Sequence, residues 1–225
     1  MLFFDAGPII SLIISRMSFI LPDLKEKFGG KFYITPAVRL ELVERPLTTR
    51  RFQFEALQVM KLLNDGVLEV YDKVPQKKVT NLIALANNSF EINGKTMDII
   101  QSGEMESVAC ALELGASVVM DERTLRLFIE NPSEMSALLE SRFQNKVTIN
   151  KSKVKDFQKN LQGIPIIRSI ELVSVAFKMS LFDSYLPKQK GGQDILVGAI
   201  LWATKYSGCA ATDHEVEEIK KLLLK

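Results

Sequence analysis

The sequence predicts an α/β fold with a largely parallel sheet, and three observations carry that reading. Short apolar runs such as LFF, FYI and SVVM, each long enough for one buried strand, alternate with longer segments of helical periodicity. Acids or turn residues stand at the carboxyl ends of those runs, as in LFFD, FYIT and VVMDE. With 47% hydrophobic and 25% charged residues over 225 positions, the composition is that of a chain able to bury one substantial core.

In order, residues 2–5 read as a strand ending in Asp5, and Gly7-Pro8 opens an apolar helix, PIISLIIS. After Gly29-Gly30 comes the strand FYIT, then Pro36 at the first turn of the helix AVRLELVER, where Glu41 and Glu44 lie three apart. Arg45-Pro46 is expected to stop that helix. RFQFEALQVMKLLNDG reads as a third helix, with Phe52, Leu57, Met60 and Leu62 or Leu63 as its apolar positions and Gly66 as its end. VLEVY follows as a strand, residues 77–92 read as helix, and Asn93-Gly94-Lys95 as a turn.

Residues 102–126, SGEMESVACALELGASVVMDERTLR, organise the chain. Ser102 suits a helix N-cap, with Glu104 and Glu106 in the first turn, and Met105, Val108, Ala109 and Leu112 form one apolar face. Gly115 ends the helix, and residues 117–120 form a buried strand that delivers Asp121 and Glu122 to its carboxyl end, where open α/β sheets place their ligands. Taken alone, Glu104 reads equally well as a capping acid and Asp121 as the opening of the next helix. Beyond Asn131-Pro132 the pattern is charged and mixed as far as residue 160. IPII then reads as a strand, IELVSVAFKMSLF as an amphipathic helix, LPKQKGG as a linker and DILVGAILWATKY as a strongly apolar helix. The last helix is opened by Thr212 or Asp213.

Several classes of function find little support. The apolar first 21 residues contain Asp5 and Arg16 and fall short of the roughly 18-residue apolar run of a membrane span, so the reading is a cytoplasmic protein. Cys110 and Cys209 fit reduced core thiols, and His214, the single histidine, leaves little room for a nucleophile-histidine apparatus or a zinc site. The net charge of +2 says nothing about partners.

Asp5, Glu41, Glu104 and Asp121 come from four separate elements, each at a strand end or on a helix beside one. Grouped, four carboxylates repel unless some are protonated or divalent cations sit among them. Oxygen-only donors favour hard ions, Mg²⁺ or Mn²⁺, and such ions suit phosphodiester hydrolysis.

At these residues the chain resembles the PIN-domain family of metal-dependent nucleases, which includes VapC toxins. FFDAGPIISL is similar to the family's first motif, TPAVRLELV to its second, and GEMESVACALELGASVVMDER to its third and fourth, in a subfamily with Gly-Glu at the third. GIPIIRSIELVSVAFKMSLFDSYLP is similar to the closing strand and helix. The resemblance covers residues 1–187, with 130–162 an apparent insertion and 188–225 a C-terminal helical appendix. It implies a PIN-like sheet flanked by helices and an endoribonuclease acting on single-stranded RNA. Its catalytic metal ligands would be Asp5, Glu41, Glu104 and Asp121, supported by Glu122 or Glu44. A homodimer is implied too, and an antitoxin-like protein partner if the chain is a toxin; a non-catalytic PIN-like protein that binds RNA or protein is the other class. Gly7 departs from the pattern, because many relatives carry Ser or Thr there. A rival ending, GGQDILVGAILWATKYSGCAATDHEVEEI, offers Asp194 and Asp213, but their 19-residue interval and the poor strand CAAT fit less well than Glu104 with Asp121.

Arg123 and Arg126, just after the acids, either hold a scissile phosphate or line a helix face. Arg142, Lys146, Lys151, Lys153, Lys155 and Lys159, with Phe143 and Phe157 among them, read either as a solvated surface or as an arm that tracks phosphates, with an aromatic residue for stacking.

Overall fold

The computed structural model describes residues 1–100 and 102–225. The first strand, β1 (Leu2–Phe4), shows why the chain is layered. Its side chains alternate across the sheet: Leu2 and Phe4 enter one apolar core and Phe3 enters another, all three buried. The strand therefore lies between two layers. Asp5 ends it, and its carboxylate accepts from the Gly7 N–H to open α1 (Ala6–Ile14). α2 (Ile20–Phe28) follows and ends on Gly29 in the left-handed region, φ 64°. β2 (Phe32–Ile34) leads to Thr35, which caps α3 (Pro36–Arg39).

Arg45-Pro46 does not stop this helix as expected. The chain passes through a π-helical turn, Leu40–Glu44, into α4 (Arg45–Leu47), and Arg45 donates to the Leu40 carbonyl, one residue further back than in an α-helix. The wider turn accommodates Pro46, which lacks the N–H that an uninterrupted α-helix would need. α5 (Gln53–Asn64) also differs from expectation, because it buries Ala56, Val59 and Leu62 and leaves Phe54 and Leu57 exposed, at 70% and 50%. Two apolar stripes run along this helix, and packing chose the one with the smaller side chains.

β3 (Glu69–Val70) is shorter than the VLEVY run, whose Val67 and Leu68 are nonetheless buried. α6 (Gln76–Asn87) stops before the expected residue 92. β4 (Phe90–Ile92) and β5 (Lys95–Thr96) form a hairpin around Asn93 and Gly94, both with positive φ, the conformation that an Asn-Gly turn favours. α7 (Ser102–Leu114) begins at Ser102, which is thus inside the helix instead of capping it. β6 (Ser117–Val119) repeats the alternation of β1, with Val118 in one core and Val119 in the other.

The 130–162 segment is folded. After α8 (Arg123–Glu130), α9 (Pro132–Phe143) and β7 (Val147–Ile149) complete a small antiparallel sheet, β5-β4-β7. α10 (Lys151–Leu161) lays Phe157 on Phe128, ring centroids 4.3 Å apart, so Phe157 is a core residue and not a stacking surface. Its lysines, Lys151, Lys153, Lys155 and Lys159, point to solvent.

β8 (Ile166–Ile167) closes the main sheet, whose order β3-β2-β1-β6-β8 is parallel throughout. This is the predicted α/β architecture, with helices on both faces. α11 (Ser169–Lys178), α12 (Gly192–Tyr206) and α13 (Asp213–Leu223) follow. The C-terminal helices belong to the same core as β1: Leu196, Val197, Leu201 and Val216 pack with Leu2 and Phe4. Most of the apolar circumference of α12 is spent on that burial, although Ile195 stays 43% exposed. Among the described residues no helix is long and apolar enough to cross a membrane.

Register sets up the site. Phe4 pairs with Val119, and Val119 with Ile167, so the strands end level. Asp5, Thr35, Asp121 and Ser169 therefore emerge at one end of the sheet.

Candidate metal and nuclease site

A cleft of about 330 Å³ opens at the carboxyl end of β1 and β6, lined by Asp5, Glu41, Glu104, Asp121, Glu122 and Arg123, with Gly7, Gly208 and Ala210 among its other walls. Each acid arrives by a different route. Asp5 is the strand-helix junction of β1 and α1, and Asp121 and Glu122 follow β6. Glu41 projects from the π-helical turn. Glu104 lies in the first turn of α7, beside Gly103, where a Cβ would stand 3.9 Å from both Ala37 Cβ and Glu41 Oε2. These are ordinary contact distances, and they place the first turn of α7 against α3 and the π-helical turn, so that Glu104 and Glu41 line the same opening. Glu106 strengthens the same junction by accepting from the Ala37 N–H at 3.1 Å, so this acid serves the start of α3 as well as its own helix.

Asp5 is only 7% exposed. Its carboxyl is raised from 3.8 to about 6, first by burial and then by the nearby charges of Glu41 and Asp121, against the lowering effect of the Ala6 and Gly7 N–H groups. The cleft thus sets one buried carboxyl, Asp5, among further acids. Arg123 is the basic residue on its wall, and it is shared with Glu134 at 2.9 Å.

Asp121, 3% exposed, is held differently. Oδ1 accepts from the Ser169 N–H at 2.8 Å and lies 2.9 Å from its hydroxyl, while Oδ2 lies 2.7 Å from that hydroxyl and accepts from the Ser11 hydroxyl at 3.0 Å. Since Ser169 Oγ has one proton, three donors occupy roughly four lone-pair directions. Asp121 thereby ties β6 to α1 and α11. Ser11 and Ser169 escaped the sequence reading; the available signal was a lone hydroxyl in each of two apolar helical runs, PIISLII and RSIELV. Cys209 joins this buried group, its thiol pushed up to about 12 by burial and by Asp121. Cys110 lies in the other core, also pushed to about 12, first by burial.

Of the remaining candidates, Glu122 and Arg123 share the cleft and the others are placed apart. Glu122 lines the cleft and caps α8 through the Leu125 N–H at 2.8 Å. Glu44 pairs with Arg39 at 3.0 Å. Arg126 turns to Glu215 at 3.6 Å and to the Ala210 carbonyl, within a network where Arg168 meets Glu215 at 2.8 Å. Asp194 pairs with Lys220 at 2.9 Å, and Asp213 with Lys205. Thr212, not Asp213, caps α13. Lys151, Lys153 and Lys155 ride the outer face of α10.

The donor set in the cleft is all oxygen and suits a hard divalent cation, and the raised carboxyl of Asp5, due first to burial and then to the charges of Glu41 and Asp121, marks a buried acid whose ionised form such a cation would stabilise. Among the described residues no three acids converge closely enough to hold one ion without side-chain movement. Neither a family model nor a curated protein matches the chain.

Proposed function

We propose that the protein is a PIN-type endoribonuclease, dependent on Mg²⁺ or Mn²⁺, that hydrolyses phosphodiester bonds of single-stranded RNA. The observation that carries this reading is the acid cleft itself: Asp5, Glu41, Glu104, Asp121 and Glu122 line one opening at the carboxyl end of a parallel sheet, and the carboxyl of Asp5 is raised to about 6. Structural acids on a surface spread apart or pair with lysines, as Asp194 and Asp213 do here. Buried acids that crowd are stable only with a proton or a cation.

In this scheme Asp5, Glu41 and Glu104 would hold the cation after side-chain movement, and the cation would supply Lewis-acid polarisation of a phosphodiester. Asp121, with most of its lone pairs engaged by Ser11 and Ser169, adds negative charge and fixes the positions of β6 and α1 beneath the site. Glu122 lines the cleft, where it could accept a proton from an attacking water, and Arg123 can exchange Glu134 for a phosphate oxygen. Asp5→Asn should abolish Mn²⁺-dependent cleavage of a labelled single-stranded RNA while leaving the fold intact. Cleavage by the wild type that survives excess EDTA would remove the metal mechanism.

A second reading, a non-catalytic protein that binds RNA or a protein partner, is favoured by one observation, the lack of three converging acids among the described residues. Isothermal titration with Mn²⁺ separates the two readings, since only the first requires heat that disappears in Asp5→Asn. A cytoplasmic toxin with an antitoxin-like partner is a special case of the first reading. A homodimer would cover the exposed apolar residues Leu40, Phe54 and Leu57. Light scattering giving a 25.3 kDa particle at high concentration would remove the dimer.

A further inference from the structure

The acid cleft does not end at Glu104 and Glu122. A second depression of about 350 Å³ shares both of these residues and continues over Thr124 and Ile99 to Arg142 and Phe143. A third, of about 430 Å³, shares Met97, Asp98 and Phe143 with the second and reaches Lys95 on the β4-β5 hairpin. The three form one path from the sheet's carboxyl end into the lobe built by β4, β5, α9 and β7. Phe143 stands in the middle of that path. It is the last residue of α9, just before Gln144 breaks the helix in the left-handed region, and its ring is 44% exposed where an inward-facing aromatic of this lobe, such as Phe90 or Phe157, is fully buried. The Arg142 guanidinium lies 5.8 Å from the Phe143 ring centroid, and among the described residues no carboxylate forms an ion pair with it.

We propose that this groove is the track for single-stranded RNA running out of the acid cleft, with one base stacked on Phe143 and an adjacent phosphate held by Arg142. An exposed ring offers a face to any base, so stacking is tolerant of sequence, and the exposed Arg142 guanidinium beside it can meet the backbone phosphate that must lie next to a stacked base. Lys95 at the far end adds a second cation for a later phosphate. A peptide would gain little from a lone ring flanked by cations, whereas a nucleotide uses both. The inference rests on reading the acid cleft as the place of cleavage, and it assigns to the inserted lobe the grip on substrate next to the cut.

The test is fluorescence anisotropy of labelled ten-nucleotide oligoadenylate and oligouridylate RNA with full-length protein in Mg²⁺, in an Asp5→Asn background so that the probe is not consumed. Phe143→Ala should weaken binding by about 10-fold, within the range of roughly 5- to 150-fold expected for one stacked base. Phe143→Leu should lose as much, and Phe143→Trp should stay within about 2-fold of the parent. Arg142→Gln should weaken binding and reduce the slope of log affinity against log salt by ~0.7. Phe143→Leu binding as tightly as the parent would show that the ring serves only as apolar surface and would overturn the proposal, as would no detectable binding by the parent. Mn²⁺-dependent cleavage by the wild type, assayed in parallel, separates the two levels. Cleavage with binding indifferent to Phe143 leaves the nuclease and removes the track; binding dependent on Phe143 without cleavage leaves the track and removes the nuclease.

Discussion

Changing Asp5 to Asn should make the metal-free protein more stable at neutral pH even as it destroys the proposed activity. The folded protein holds the Asp5 carboxyl at about 6 against 3.8 for the free side chain, through burial first and the charges of Glu41 and Asp121 after it. Between those two values the folded state keeps a proton that the unfolded chain has released, so stability falls as pH rises through the window, and the whole loss is present above about 6. At 1.36 kcal/mol per pKa unit the loss is about 3 kcal/mol for this buried group. Asparagine carries no charge and caps a helix about as well as aspartate, so the bond to the Gly7 N–H survives. Allowing for imperfect amide packing, we expect Asp5→Asn to gain about 1–3 kcal/mol at pH 7.5 without divalent ions, a rise in melting temperature of roughly 2–12 °C for a chain of this size. Thermal melts of both proteins from pH 3.5 to 8 measure this directly. The gap should be closed near pH 3.5, open between 4 and 6 and stay level above. Saturating Mn²⁺ should raise the wild-type melting temperature and leave that of Asp5→Asn nearly unmoved, narrowing or reversing the gap. An Asp5→Asn protein that melts no higher than wild type at pH 7.5 in EDTA, or a gap that persists at pH 3.5, would refute the reasoning.

Three other outcomes are expected. Ser169→Ala removes the hydroxyl that bridges both oxygens of Asp121, and urea denaturation should show a loss of about 1–3 kcal/mol, with no loss pointing instead to a water able to replace it. Gly7→Ser should be tolerated, because a Cβ there meets only ordinary contacts, 3.6 Å from Asp121 Cβ and 3.6 Å from Asp5 Oδ2. Its hydroxyl should raise Mn²⁺-dependent cleavage, and a drop in melting temperature of more than a few degrees would contradict the absence of a clash at that Cβ. Changing Lys151, Lys153 and Lys155 together to Ala should leave the melting temperature within about 2 °C, since all three are exposed on α10, and should flatten the salt dependence of RNA affinity by ~2; an unchanged slope would make them a solvated face only.

Local sequence was enough to place most of the elements that build the acid cleft. LFFD and SVVMDE specify strand ends because three or four apolar residues followed by an acid can be buried only up to the acid, and Gly115, at φ 59°, ends α7 where a left-handed residue was required. The convergence of Asp5, Glu41, Glu104 and Asp121 on one opening follows from parallel strands that end level, a regularity of the α/β class that alternation in sequence already implies. Tertiary structure decided what a single stretch of chain does not encode. Residues 90–92 are a strand and not the end of a helix because β7, more than fifty residues later, supplies the hydrogen bonds; the Asn93-Gly94 turn was the local hint. Phe157 and Phe143 look alike in a basic segment, yet one stacks on Phe128 in the core while the other faces a groove, since only packing against α6 and α8 selects the inward face of α10. Arg123 and Arg126 part for the same reason: one lines the cleft and the other is drawn to Glu215 on α13, an element ninety residues away. Charge pairing and burial depend on which surfaces meet, and that is a property of the assembled layers, not of any one segment's periodicity.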